Sequence, residues 1–201
     1  MILIDIDGVC LDYMGAIREV EPEFNPDKIL SYDLTKGDFG ISAKKVRKYF
    51  KSAKVMKMQK PYRRVKYGLT QLKELDDVKA WTYVDKSLVK IRKKQLDDLG
   101  IDGYISTEYP KPIIVEDVKV VIEDNPKALD MYKDKGVLRI IVTRSYNLDY
   151  KDYDYRVGDL REASRVIKES GVYDERKPIQ SIRSTFRNIF GKLQEESEGT
   201  T

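Results

Sequence analysis

The chain has 201 residues, 41% hydrophobic and 36% charged, with a net charge of +4 and a pI near 8.9, a balance that suits one globular domain carrying a small insertion. One cysteine, Cys10, and no histidine are present, which excludes an internal disulfide, a histidine triad, histidine-ligated zinc and a histidine general base. No stretch reaches the length of a membrane span and the first residues form no signal peptide, so the expectation is a soluble, cytoplasmic protein with no membrane partner.

Met1 to Ile6 reads as a short buried strand that delivers Asp5, Asp7 and then Gly8. From Asp12 to about Asp76 the pattern is helical, interrupted at Pro22, Asn25-Pro26, Gly37 and Gly40. Ala43, Val46, Tyr49 and Phe50 recur at helical spacing, as do Val65, Leu69, Leu72 and Leu75. Val78 to Tyr83 predicts a strand, and Leu88 to Leu99 an amphipathic helix stopped by Gly100. Gly103 to Ser106 predicts a brief strand. Lys119 to Ile122 predicts a β-branched strand ending in Glu123 and Asp124, followed by a helix from Pro126 to Lys135 that Gly136 stops. Leu138 to Thr143 predicts another buried strand, Tyr146 to Asp154 a loop, and Leu160 to Lys168 a helix ending near Gly171. Strands alternating with helices imply an α/β fold, a parallel sheet with helices on both faces. Near the end, Ile179, Ile182, Phe186, Ile189, Phe190 and Leu193 share one helical face, accompanied by Arg183, Arg187 and Lys192. That face is expected to pack on the sheet or on a second copy as a homodimer, with a basic amphipathic helix for nucleic acid, a membrane surface or a partner as the sharper alternative, before a frayed Glu195 to Thr201.

The chemistry gathers at strand ends. In open α/β sheets reactive groups collect at the carboxyl edge, and Asp5-Ile6-Asp7-Gly8-Val9 places two carboxylates there. One can bind a divalent cation and attack phosphorus, and the other can exchange a proton with the leaving oxygen. Gly8 lets the chain turn sharply. A carboxylate-capped turn is the competing reading. A calcium loop is excluded, because the twelfth position counted from Asp5 is Ala16 and not Glu. The second cluster, Val120 to Pro126, delivers Glu123 and Asp124 in the same way. Three or four carboxylates around one point would be relieved by a hard cation; the competing reading is a cap on the next helix, with Pro126 in its first turn. Thr82, at a strand end, could hold phosphate oxygens, and Lys111, between Pro110 and Pro112, could offset phosphate charge.

Taken in order, Asp-x-Asp-Gly-Val at 5–9, Thr82 after a strand, Lys111, and the acidic pair at 123–124 resemble the haloacid dehalogenase superfamily. Within it the chain looks most like the 5′(3′)-deoxyribonucleotidases of phages and bacteria. Asp12, Ser31-Tyr32-Asp33-Leu34 and the helix leading to Lys73-Glu74-Leu75 also fit that family, and the resemblance covers roughly Met1 to Lys168. It implies a Rossmann-like core at 1–12 and 76–175, a helical cap at 13–75 and a tail at 176–201. It also implies that Asp5 is the nucleophile and Asp7 the general acid/base. Mg²⁺ would be held by the Asp5 side chain, the Asp7 carbonyl and Asp124, while Thr82 and Lys111 would bind phosphoryl oxygens. Glu123 is expected to support the site without ligating the metal. The strand before Thr82, Ala80-Trp81, is less aliphatic than in relatives, which leaves Ser87 as an alternative hydroxyl. Lys119 competes with Lys111 but would lie at the wrong end of its strand. The implied activity is Mg²⁺-dependent hydrolysis of a phosphomonoester, a nucleoside monophosphate, through an aspartyl-phosphate. A polynucleotide 3′-phosphatase, in keeping with the basic charge, and a non-catalytic binding module are the alternatives. Among the cap aromatics, Tyr49 and Phe50 are expected in the core, and Tyr32 and Phe39 at the base.

Overall fold

The computed structural model describes residues 1–174; the amphipathic tail segment read above lies outside the described residues. Ile2–Ile4 (β1) is apolar on both faces and takes the centre of a six-stranded sheet. The chain then turns through two short segments, Leu11–Asp12 (β2) and, much later, Lys60–Pro61 (β3), which pair antiparallel as a small ribbon. The main sheet is completed by Val78–Tyr83 (β4), Asp102–Ser106 (β5), Val120–Glu123 (β6), Leu138–Val142 (β7) and Tyr155–Val157 (β8). The strand order is β5-β4-β1-β6-β7-β8, all parallel. This is the doubly wound, Rossmann-type order, with the direction of winding reversing beside β1. The crevice at such a reversal, outside the carboxyl ends of the strands, is where these sheets bind ligands.

Seven helices accompany the strands among the described residues: Tyr13–Val20 (α1), Ala43–Tyr49 (α2), Ala53–Met58 (α3), Val65–Lys73 (α4), Val89–Leu99 (α5), Pro126–Asp130 (α6) and Leu160–Ser170 (α7). Because successive strand side chains point to opposite faces, β1 feeds two cores. Ile2 and Ile4 pack with Leu69 and Leu72 of α4, Leu96 and Leu99 of α5, and Ile167 of α7. Leu3 packs on the other face with Val121, Leu129 and Tyr132. Glycine ends two of these helices in the left-handed conformation, Gly100 after α5 (φ +68°) and Gly171 after α7 (φ +67°).

The segment between β2 and β3 has a core of its own, built on Ile17, Phe24, Ile29, Phe39, Val46 and Val55. The next helix, α4, lies within the same 13–75 stretch but packs into the core of the sheet against α7. The stretch read as a cap therefore contains a separately cored part and a helix that belongs to the sheet.

Three local expectations change. The helix from Pro126 stops at Asp130, because the chain coils into turns that place Asp134 (φ +60°) and Gly136 (φ +70°) in left-handed geometry. A sixth strand, β8, forms where no strand pattern was read. Phe39 is buried in the insert core, and Phe50 is 42% exposed, stacked on Tyr13. Among the described residues, no helix is long and apolar enough to cross a membrane.

The α4–α7 crossing rests on Gly68, where an added Cβ would come within 2.5 Å of the Leu160 Cβ. Gly68→Val is expected to destabilise the fold by about 1–3 kcal/mol through overpacking, read as a lower thermal midpoint in calorimetry. An unchanged midpoint would mean that the helices separate freely.

Candidate active site

The ends of β4, β1 and β6 are level. Ile4 registers with Ala80 on one side and with Ile122 on the other. One residue further along come Trp81, Asp5 and Glu123, and the Asp5 amide donates to the Ile122 carbonyl at 2.9 Å. Side-chain alternation turns Asp5 and Glu123 toward the same face as Leu3 and Val121.

Lys111 fills the space between them. Its ammonium donates to Asp5 Oδ1 at 2.7 Å, to the Trp81 carbonyl at 2.9 Å and to Glu123 Oε1, and it lies 4.0 Å from the centre of the Trp81 ring. Those three bonds use all three of its protons. Glu123 Oε2 accepts the amides of Asp124 and Asn125, both at 2.9 Å. Asp124 Oδ2 accepts from the Tyr146 hydroxyl, and the Asp124 carbonyl accepts from Asn147 Nδ2 at 2.8 Å. Gly8 makes the closeness possible: at φ +81°, a Cβ there would sit 2.1 Å from Asp124 Oδ2.

The three carboxylates come within 4.8 Å of one another, against one lysine. Burial, reinforced by the Glu123 charge and only partly opposed by Lys111, lifts the Asp5 carboxyl to about 7. Burial, with the Glu123 and Asp5 charges, likewise holds Asp124 well above the usual carboxylate range. Burial works against the Lys111 ammonium, but Asp5 and Glu123 outweigh it and hold the lysine above its ordinary value. Both Glu123 oxygens are filled by hydrogen bonds. Asp5 and Asp124 each have one oxygen, Oδ2 and Oδ1, that receives no hydrogen bond among the described residues. Two free hard oxygens in an over-acidic pocket fit a small divalent cation such as Mg²⁺. Glu123 fits a supporting position.

Asp7 faces a different set. Its Oδ1 accepts from Gln59 Nε2 at 2.7 Å, and its Oδ2 from Arg92 at 2.5 Å. Arg92, on α5, is wholly buried. Gln95, three residues further along the same helix, donates to Gln59 Oε1 at 2.9 Å and to the Met56 carbonyl at 2.7 Å. Thr82 follows Trp81 on β4, and its buried Oγ1 has no partner among the described residues. Ser87, the alternative hydroxyl, is exposed and bonded to Asp85. Lys119 lies just before β6, at the end away from Glu123, with its ammonium over the Tyr173 ring. The fold thus brings Asp5, Lys111, Glu123 and Asp124 together, with Asp7 alongside. Tyr32 reaches this site from the insert, edge-on to Tyr146 with ring centres 5.7 Å apart.

Arg92, Gln59 and Tyr146 escaped the reading of the sequence. Arg92 carried a signal: it lies four residues from both Leu88 and Leu96, on the buried stripe of α5, where an arginine needs a carboxylate. Nothing local marked the other two.

Neither a protein-family model nor a curated protein sequence matches the chain. Solved structures do match. A haloacid dehalogenase-like family hydrolase from Streptococcus pneumoniae aligns with a TM-score of 0.57 and 16% identity, covering 83% of this chain and 97% of the other. A HAD phosphatase from Thermococcus onnurineus aligns at 0.53 and 18%, covering 83% and 96%. A Bacillus subtilis HAD-hydrolase, solved bound to magnesium, aligns at 0.52 and 14%, covering 83% and 97%. The fold is haloacid dehalogenase-like. L-2-haloacid dehalogenases share it too, so the fold alone does not choose the reaction.

The raised Asp5 carboxyl ties stability to pH. Its protonated form favours the fold; that contribution is complete below about pH 4, the unfolded value, and is lost as pH rises through about 7. In EDTA the thermal midpoint should therefore fall between roughly pH 4 and pH 7 and level off above that, and Asp5→Asn should flatten this fall. Saturating Mg²⁺ at the upper pH should restore about 2–3 kcal/mol at a hundred times its Kd, and Asp124→Ala should abolish that gain. A midpoint indifferent to Mg²⁺ in calorimetry would rule out a cation site.

Proposed function

We propose that the chain is a Mg²⁺-dependent phosphomonoester hydrolase acting on nucleotides, with Asp5 as the nucleophile. The observation that carries this reading is the set at the strand ends: Asp5 held by Lys111, with Asp124 facing it and one oxygen of each acid free. The likeness in fold to a HAD phosphatase and to a magnesium-bound HAD-hydrolase supports it.

Asp5 and Asp124 would hold the cation. When bound, the cation supplies positive charge against the phosphoryl oxygens. Lys111 adds its own, exchanging one of its three bonds for a phosphoryl oxygen. The unpartnered Thr82 hydroxyl offers a further donor. Asp5 attacks phosphorus, the bond to the ester oxygen breaks, and Asp7 delivers a proton to the leaving alkoxide. Water then attacks the phosphorus of the aspartyl-phosphate, Asp7 takes its proton, and Asp5 is regenerated as phosphate departs. Arg92 and Gln59 fix Asp7 by both oxygens, so its reach is set before substrate enters. The separately cored part of the insert serves as the cap, and Tyr32 forms part of the wall of the site.

Displacement of halide from carbon, the other reaction this fold supports, is disfavoured by the charge. Three carboxylates around one lysine would repel a 2-haloacid, a substrate that is itself a carboxylate.

Asp5→Asn should lower Mg²⁺-dependent phosphate release by about a thousandfold or more while leaving the fold intact. Asp7→Asn should slow transfer from alkyl phosphates, including nucleotides, by about 10²–10⁴, yet spare the first burst of nitrophenolate from p-nitrophenyl phosphate, whose phenolate leaves without a proton, while slowing the steady turnover that needs Asp7 as base. Loss of the nitrophenolate burst as well would remove Asp7 as the acid toward the leaving group, and substantial turnover by a folded Asp5→Asn variant would remove Asp5 as nucleophile.

A further inference from the structure

The net charge of +4 conceals a sharp division. Between Ala43 and Lys66 there are eleven Lys and Arg residues, and from Gly40 to Lys73 no Asp or Glu at all. Subtracting those eleven from the chain's 38 basic residues leaves 27 against all 34 acids, so the remainder of the molecule is net negative. All eleven are exposed, on α2, α3, β3, the start of α4 and the turns between them. Lys45, Lys51 and Lys60 pair with Glu21, Asp85 and Glu19; the other eight make no ion pair among the described residues. Unneutralised like charges in such density repel one another, and a polyanion relieves that repulsion.

This basic segment runs into the site. Gln59, which donates to Asp7, lies between Lys57 and Lys60 in sequence, and β3 pairs with β2 directly after the Asp5–Gly8 turn. Lys51 reaches Asp85, just past the end of β4 at the catalytic edge of the sheet. Two large aromatic side chains stand exposed within the same run, Phe50 at 42% and Tyr67 at 56%. Cations interleaved with exposed rings suit a single strand, whose phosphates take the charge and whose unpaired bases stack. A membrane surface fits poorly. The aliphatic residues Val46, Val55, Met56 and Val65 of this run are buried in the fold, which leaves two separate rings and no continuous apolar face to enter a bilayer.

We infer that the phosphomonoester is the terminal phosphate of a single-stranded polynucleotide, with residues 43–66 holding the strand behind it. This rests on the hydrolase reading and extends it from a mononucleotide to a chain end. The chemistry at Asp5 is unchanged; only the leaving alkoxide grows, becoming the terminal sugar hydroxyl of a longer strand.

The test compares full-length protein on a nucleoside monophosphate and on single-stranded oligodeoxynucleotides of about ten nucleotides, a span such grooves cover, phosphorylated at the 3′ or the 5′ end. With Mg²⁺ at low salt, kcat/KM for one of the two oligonucleotides should exceed that of the mononucleotide by about tenfold or more, and the advantage should vanish as salt rises. The combined variant Lys44→Gln, Lys48→Gln, Lys54→Gln and Arg63→Gln should lose the advantage while keeping mononucleotide turnover. Equal kcat/KM on both substrates in the wild type, or an advantage the variant retains, would overturn the inference. If no phosphomonoester is hydrolysed, the hydrolase reading fails, and binding of a fluorescent unphosphorylated oligonucleotide judges the surface alone. Salt-sensitive binding that the variant loses, with a slope near 0.7 per phosphate engaged, would support it. No binding, or binding only to phosphatidylserine vesicles, would overturn it.

Discussion

Two ion pairs from one ammonium organise the carboxyl edge of this sheet. Lys111 bonds Asp5 on β1, Glu123 on β6 and the Trp81 carbonyl on β4, so a single side chain ties the ends of three neighbouring strands. Glu123 passes the constraint on: its second oxygen gathers the amides of Asp124 and Asn125. Asn125 in turn caps α6 by accepting the Lys127 amide. Without the ammonium, Asp5 and Glu123 would be buried anions with no counter-ion, a state proteins avoid by protonation or rearrangement. With it, the pocket is still short of positive charge, because three acids share one lysine. That deficit is what makes the place suited to a divalent cation, and a doubly anionic phosphate could not enter without one.

The insert is wired to the same point from two sides. Gln59, on the return to the sheet, holds one oxygen of Asp7, and Gln95 and Arg92 of α5 hold Gln59 and the other oxygen. Opposite, Tyr32 leans on Tyr146, whose hydroxyl bonds Asp124. A displacement of the insert must therefore disturb an acid on each side of the site. The basic surface lies on the same insert, so a strand held there would bear on the segment that positions Asp7.

Much of this could be read from residue order, for physical reasons. Ile2–Ile4 of β1 and Val120 to Ile122 of β6 are apolar runs buried on both sides, and β4 and β7 are largely so, each broken by a single cation, Lys79 and Arg139; such runs declare themselves. Asp5, Glu123 and Asp124 stood out because acids directly after such runs have to lie at the sheet's edge, and Lys111 through its place before β6. The edge strand β8 was hidden: Tyr-Arg-Val, half exposed within a Tyr- and Asp-rich stretch, shows no run at all. The ribbon of β2 and β3 is two residues long on each side and made by pairing across the insert, which no local pattern records. Gln59 and Tyr146 reach the site only through tertiary contacts. Phe50 is exposed against expectation because it ends a helix of seven residues, too short to reveal which face its neighbours cover, and Phe39 is buried from a loop, where no periodicity marks a core residue.

The account stands on covalent chemistry at Asp5. The direct measurement is to quench wild-type protein during turnover of a phosphomonoester with Mg²⁺, reduce it with borohydride, and map the modified residue by peptide mass spectrometry. An acyl-phosphate at Asp5 would be reduced to homoserine at that position, and the signal should be absent without substrate and from the Asp5→Asn variant. Sustained phosphate release with an unmodified Asp5 peptide, or modification at another carboxylate, would contradict it.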